Sequence, residues 1–354
     1  MMLNESMLNG SHGGTRPQYT NPAMDVSLIV LSVLILVING IVIYLFFSRE
    51  YLQTKTNSLL VSLSVSDLTV GLLGIPLYIA CNWTRVDQIC FASAATYRLQ
   101  AVSEMAHIFM TTLERYIYVM YPMKYIRIVT APRILNLMGC VWCFSLFITF
   151  IQVAWNDPND FFYNLNANPT RRLCSIVYNC FTIVVCFLIP LIIMIISYSR
   201  MFDVIHRQIK EIHQQNYPRG AAGSSQRTPV ATEARAVSIF ALMLSVFTLA
   251  WSSWYIIGIG VYFKQFYSAL PLPLMEFLHF FRFAVAYINP ILYTFLKRDF
   301  SRALKSLVNR EGLRRDFVTA THMRSRGFAS NSLQTRMSNS YGDDTPINMN
   351  GHTA

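Results

Sequence analysis

The stretch EMAHIFMTTLERYIYVMYP (104–122) sets Glu104, His107, Glu114 and Arg115 in or beside an apolar run. Similar groups recur elsewhere: Asp67 in LSVSDL, Arg98, and Glu276, His279 and Arg282 in PLPLMEFLHFFRFAVAY. In apolar sequence such groups can bind a ligand of opposite charge, carry ions or protons, or lock helices together. A charge at the centre of a membrane span costs roughly 2.5–3.5 kcal/mol on insertion scales, so it faces a bundle interior and finds a partner there. A purely structural polar network is the competing reading for any single residue. It is weaker for the set, because acids and bases at several depths are an expensive way to hold helices together. Enzyme chemistry has no support: no P-loop, HExxH, GxSxG or paired metal-ligand spacing is present. Cys140-Val-Trp-Cys143 is a lone CxxC in an apolar run and reads as packing.

The elements that must position these groups are membrane helices. Hydrophobic residues make up 53% of the chain and charged residues 13%, which excludes most soluble folds. Mean hydropathy is +0.37. Runs of about 18 or more apolar residues read as spans. They fall at 24–47, 58–81, 134–155, 175–199, 236–263 and 272–296, and a seventh at about 91–120 contains the opening stretch. The fold class expected is therefore an all-α membrane protein, a seven-transmembrane helix bundle. Most of the 29 Lys and Arg lie in the segments after spans one, three, five and seven, from Arg49 to Arg336. The opposite side carries only Arg16, Arg85, Arg171, Arg172 and Lys264. This asymmetry puts the N-terminus outside and the C-terminus in the cytosol. The formal charge of +11 is thus a topological signal. No nucleic-acid partner is expected, since no folded basic domain presents a patch.

The first 23 residues are polar and no cleavable signal peptide is apparent; they read as an extracellular tail. Asn4 and Asn9 lie in glycosylation sequons there. Asn82-Trp83-Thr84 also matches but sits at the membrane edge. Cys90 and Cys174 are the cysteines at outer-side positions, and an oxidising exterior favours a disulfide between them. A flexible third cytoplasmic loop is expected at about 203–233, where NYPRGAAGSSQRTPVAT (216–232) is Gly/Ser/Pro-rich. Residues 298–310 read as an amphipathic eighth helix along the inner leaflet, and 311–354 as a disordered cytoplasmic tail.

Pro76, Pro190 and Pro290 fall inside spans two, five and seven. Each removes a backbone donor and tends to kink a helix. Kinked helices around a polar interior suit a bundle with two arrangements of similar energy.

These residues carry a resemblance. From about 24 to 310 the chain resembles a rhodopsin-like (class A) G-protein-coupled receptor. The signatures appear in order: Asn39 in INGIV, Asp67 in LSVSDL, Trp83 before Cys90, and Glu114-Arg115-Tyr116 followed by YPMKY with Pro122. Trp142, Pro190 with Tyr198, FTLAWSS with Phe247 and Trp251, and NPILY with Asn289, Pro290 and Tyr293 complete them. The resemblance implies a multi-pass plasma-membrane receptor. An agonist entering from outside repacks the pocket floor near Trp251, span six swings outward, and a heterotrimeric G protein inserts at the cytoplasmic face. Arg115 follows Cys90 by 25 residues, so it lies about 37 Å deeper at 1.5 Å per residue. There it is expected to pair with Glu114 and Glu233 in the resting state. Thr319, Thr321, Ser325, Ser330, Ser332, Thr335, Ser338 and Ser340 in the tail would, once phosphorylated by receptor kinases, offer negative charges to arrestin.

The chain departs from the family's pattern in places. Glu104 replaces the small hydroxyl that joins Asp67 in the family's sodium site, and Val285 and Ala286 replace a polar pair on span seven. Arg282, one turn above, is expected to pair with Glu104 or Asp67 in place of sodium. Protonation of Glu104 is the competing view. Ser253 stands where span six usually has proline, and Ser252 and Ser253 are candidates to bend the helix by bonding back to carbonyls. Phe283 occupies the position of the opsin lysine, so retinal attachment is not expected. Tyr97 replaces the amine-binding aspartate, and Gly258 the asparagine of adenosine receptors, although AWNDP (154–158) faintly resembles the latter. The expected pocket wall is Tyr97, Arg98, Ala101, Thr182, Trp251, Tyr255, Glu276, His279 and Arg282. Arg98 is a candidate for a ligand carboxylate or phosphate, and Glu276 for a cation or for Arg98 itself. A small organic agonist is preferred over a peptide. No cofactor and no metal are expected. The rival readings are a ligand-independent receptor-like protein and an ion- or proton-translocating transporter. The inverted repeats that would favour a transporter are not visible.

Overall fold

The computed structural model describes residues 21–160, 169–216, 229–260 and 271–308. Among these, every regular element is a helix. α1 spans Pro22–Ser48; the Asn21 side chain caps it, accepting from the Ala23 and Met24 amides. α2 covers Lys55–Thr84 and starts at a Thr54 cap. α3 runs from Asp87 to Met120. A short α4 (Pro122–Ile128) follows, then α5 (Ala131–Ala154). α6 begins as Pro169–Phe181 and continues through Thr182–Leu188 into Ile189–Asn216. α7 is Pro229–Gly260, α8 is Leu272–Leu296 and α9 is Arg298–Val308.

Five of these helices are long and apolar enough to cross a membrane on length and composition alone: α1, α2, α5, α6 and α7. α3 and α8 fall outside that set because their charged and polar side chains lower the mean hydropathy. Placement explains why those two tolerate them. α3 packs against α2, α5, α6 and α7, and α8 against α1 and α7. Neighbours α1 and α2, and α6 and α7, close the ring. The helices that flank this centre turn apolar residues outward, such as Val33 and Val37 on α1, Leu135 and Phe147 on α5, and Ile192 and Ile196 on α6. Lipid tails are as apolar as these side chains, so their exposure carries no penalty.

The prolines act where the sequence places them. A proline ring clashes with the carbonyl four residues before it and donates no hydrogen bond. α2 widens into a π-type turn at Val70–Gly74, just before Pro76, and α6 does the same at Thr182–Leu188, before Pro190. Such wide turns absorb the clash without ending the helix. Pro290 lies inside α8. On α7, Ser253 Oγ bonds back to the Leu249 carbonyl at 2.8 Å, the substitute for proline that the sequence suggested. At Gly71 α1 and α2 approach closely: a Cβ there would meet Leu36 Cδ2 at 3.0 Å, and Ser32 Oγ donates to the Gly71 carbonyl at 2.8 Å.

Two expectations are corrected. Much of the third cytoplasmic loop is helical: α6 runs on to Asn216, and α7 begins at Pro229. Ile205 and Ile209 lie four residues apart on the extension of α6, with Ile205 buried and charged neighbours exposed, so a helical stripe carries past the membrane. The disulfide also differs. Cys90 is bonded to Cys81, with Cα atoms 4.7 Å apart, and Cys174 is a free, half-buried thiol on α6. The reason is local. α2 ends at Thr84, Arg85 turns the chain in the left-handed conformation at φ 53°, and α3 starts at Asp87. The last turn of one helix and the first of the next are thereby held side by side, so Cys81 reaches Cys90 first.

The chain divides into residues up to Ser301, which include the helix bundle, and a second unit from Arg302. The described part of the second unit, 302–308, is helical with Arg302 and Lys305 exposed. Asn4, Asn9 and the Ser/Thr residues of the tail lie outside the described residues.

Candidate functional site

Many of the polar groups singled out above gather along one interior line. On α2, Thr56, Ser64 and Asp67 recur at helical spacing, and on α3 so do Tyr97, Ala101, Glu104, His107, Thr111 and Arg115. Residues three and four apart share a helix face, so both faces turn inward and meet.

At the end of the bundle next to α4, Arg115 Nε donates to Glu114 Oε2 at 2.7 Å and its Nη2 to Oε1 at 2.9 Å. Arg115 also bonds to Thr56 Oγ1, and Thr56 donates to Glu114 at 2.9 Å. The Tyr125 hydroxyl, from α4, donates to the same Glu114 oxygen at 2.6 Å. Burial, and then this bond, push the Tyr125 phenol above its usual value. The Arg115 guanidinium lies over the Tyr118 ring, 4.9 Å from its centroid. The expected Arg115–Glu114 pair is therefore present, held by Thr56 and Tyr125, which the sequence reading did not assign. The Glu233 side chain lies outside the described residues. Nearby, Tyr198 on α6 bonds to Thr112 at 3.0 Å. Tyr293 on α8 bonds to Ser64, and its ring packs against Phe300, 5.6 Å between centroids.

Midway, Glu104 accepts from Gln100 Nε2 and from the Trp251 indole Nε1, both at 3.1 Å. Asp67 faces Glu104 and Asn289. Neither oxygen of Asp67 nor either amide atom of Asn289 has a hydrogen-bond partner among the described residues. Both ring nitrogens of His107 are engaged: Nδ1 donates to the Ser103 carbonyl at 2.7 Å, with the Ser103 hydroxyl at 3.3 Å, and Nε2 accepts from Ser62 at 2.8 Å. Trp142 completes that group by donating to Ser62 at 3.1 Å. His107 thus serves the packing of α2, α3 and α5. Asn39 ties α1 to α8 by donating to the Ala286 carbonyl at 3.0 Å.

The pocket residues divide. Tyr97, Trp251, His279 and Arg282 come together. The Arg282 guanidinium lies 4.6 Å from the Tyr97 ring centroid, 4.5 Å from Trp254, 4.4 Å from Phe283 and 5.9 Å from Trp251. His279 meets Trp254 at 4.9 Å, and Tyr255 lies 6.4 Å from Trp251. The expected pairing of Arg282 with Glu104 or Asp67 is not made. The oxygens of Glu104 are engaged by Gln100 and Trp251, and the rings of three helices hold the guanidinium instead. Trp254 is a buried wall of this cage, whereas Phe277 on α8 is 59% exposed. Phe283, at the opsin-lysine position, is another wall.

Arg98 and Thr182 belong elsewhere. Arg98 lies over the Tyr178 ring at 5.3 Å, and the Thr182 hydroxyl is spent on the Tyr178 carbonyl at 2.9 Å. Successive residues of α3 point about 100° apart, so Tyr97 and Arg98 face different neighbours. Ala101 is buried on the seam. Glu276 does not reach Arg98; both its oxygens accept from Asn21 at 3.0 Å, joining the N-terminal ends of α1 and α8.

Comparison with known proteins agrees with this geometry. Residues 38–293 match the model of the 7 transmembrane receptor (rhodopsin family). The human histamine H2 receptor is 28% identical over 299 residues, covering 79% of this chain and 78% of its own. The dog adenosine receptor A2a is 25% identical over 341 residues, covering 92% of this chain and 80% of its own. A bundle of membrane helices around a buried acid–arginine seam, matched over most of its length, therefore belongs to the rhodopsin family of seven-transmembrane receptors, which signal through G proteins and are not enzymes.

Proposed function

We propose that the protein senses an extracellular ligand, with its N-terminus outside the plasma membrane, and relays binding to a G protein at the mouth around Arg115. The observation that carries this reading is the bond from Trp251 to Glu104. It connects the floor of the aromatic cage to the acid pair on α2 and α3, and those helices lead to the Arg115–Glu114 lock. A ligand that moves Trp251 disturbs the buried end of the seam, and the lock at the other end opens. The ligand is a small molecule held where Tyr97, Trp254 and His279 converge. Histamine does not carry over from the relatives, because Tyr97 stands where an amine would need an acid. Adenosine does not carry over either, with Gly258 at the position of the recognising asparagine. Arrestin and receptor kinases engage the Ser/Thr-rich tail.

Nucleotide exchange on a panel of purified G proteins tests the relay. The wild-type receptor should exceed Arg115→Ala by about tenfold on at least one G protein. Glu104→Leu, which removes the acceptor of the Trp251 indole and of Gln100, should raise ligand-free exchange by about 2- to 10-fold, the scale of the Trp251 bond alone. Equal exchange by wild type and Arg115→Ala on every G protein would refute the proposal.

A further inference from the structure

We infer that Arg282 is the anchor of the ligand pocket and that the ligand is a small carboxylic acid with a flat ring body. This rests on the reading of the cage as the ligand-sensing end of the receptor.

Arg282 is 1% exposed, and among the described residues its Nε and Nη1 have no hydrogen-bond partner. The rings of Tyr97, Trp254 and Phe283 attract the guanidinium through their π-systems. They do not use its in-plane N–H groups. A guanidinium presents five such donors, in a fork that matches the two oxygens of a carboxylate. Among the described residues, Glu104 is engaged by Gln100 and Trp251 and Glu276 by Asn21, and neither Nε nor Nη1 of Arg282 is bonded to an acid. Buried donors left unmade are costly, so an incoming carboxylate gains what the protein itself does not supply.

Charge sign excludes the opposite class. Tyr97 supplies no acid, Glu104 is already engaged by Gln100 and Trp251, and an ammonium placed beside the Tyr97 ring would confront Arg282. A single guanidinium among rings suits one negative charge better than a doubly charged phosphate. The half-buried Tyr97 ring offers a flat apolar surface beside the guanidinium, which favours an aromatic body over an alkyl chain. The same arginine touches Trp251. A carboxylate drawing the guanidinium toward itself therefore changes the contact made by the residue bonded to Glu104, so recognition and relay share one side chain.

The test uses the purified full-length receptor in lipid nanodiscs. Trp251 and Trp254 flank the site, so tryptophan emission reports binding, and thermal denaturation gives an independent measure. The probes are phenylacetate, 2-naphthoate and octanoate, each beside its primary amide and the matching amine. The ring acids should shift emission saturably and raise Tm, with the amides and amines at least tenfold weaker. Arg282→Gln should weaken the acids at least tenfold, and Arg282→Lys should recover part of the loss, keeping the charge without the fork. The inference is overturned if an amide or amine binds as well as its acid, if acid binding survives Arg282→Gln, or if no acid of the series binds. Octanoate matching phenylacetate would overturn the flat-ring assignment. The acid–amide comparison on the wild type decides the matter even if Arg282→Gln does not fold. Binding is read without a G protein, so absent nucleotide exchange would count against the relay and leave acid recognition standing.

Discussion

Glu114 illustrates how a residue's role depends on its partners. Adjacent to Arg115 in sequence, the two were expected to pair, and they do. What the chain order does not convey is that Thr56, far back on α2, and Tyr125, on the short α4, both donate to the same carboxylate. A carboxylate with several donors is held in one geometry, and it holds the arginine in turn. Tyr125→Phe removes one of these donors with almost no change in volume. We expect it to weaken the lock by about 1 kcal/mol and raise ligand-free nucleotide exchange several-fold. Exchange at the wild-type level, at matched expression, would show that Tyr125 is a bystander. Arg282 shows the converse. Its charge and depth were legible, and its partners were not: the sequence offers two acids within reach, but the rings of α3, α7 and α8 arrive first.

The helices display how local chemistry sets packing. Pro76 and Pro190 forecast distortions, and each is preceded by a widened turn. Ser253 takes the place of a proline by bonding back one turn. Gly71 permits α1 and α2 to touch. Gly71→Leu would drive a side chain into Leu36 and the Ser32 carbonyl. Overpacking of this kind costs about 1–3 kcal/mol, so a Tm lower by several degrees in detergent is expected; an unchanged Tm would mean that α1 shifts freely. The disulfide makes its own prediction. Peptide mapping without reduction should recover Cys81 joined to Cys90, and Cys174→Ser should leave Tm unchanged while Cys81→Ser lowers it. Recovery of a Cys90–Cys174 peptide would restore the pairing expected from sidedness alone.

For the whole molecule, the distribution of Lys and Arg is the evidence for orientation. An epitope fused ahead of Met1 should be labelled on intact cells, and one after Ala354 only after permeabilisation; the reverse pattern would overturn the proposed topology. Hydropathy, proline placement and the ordered signatures from Asn39 to Tyr293 sufficed for the bundle and the family. Those signals are local, or depend on order along the chain, and a sequence carries both directly. Lipid solvent strengthens them, because a spanning segment has almost no alternative to a helix. Which polar groups meet is a different matter. It depends on helix rotation and tilt, on a left-handed turn at Arg85 that brings Cys81 to Cys90, and on aromatic walls from three helices closing around Arg282. Competing partners lie within a few ångströms of one another there, and only the packed bundle chooses among them.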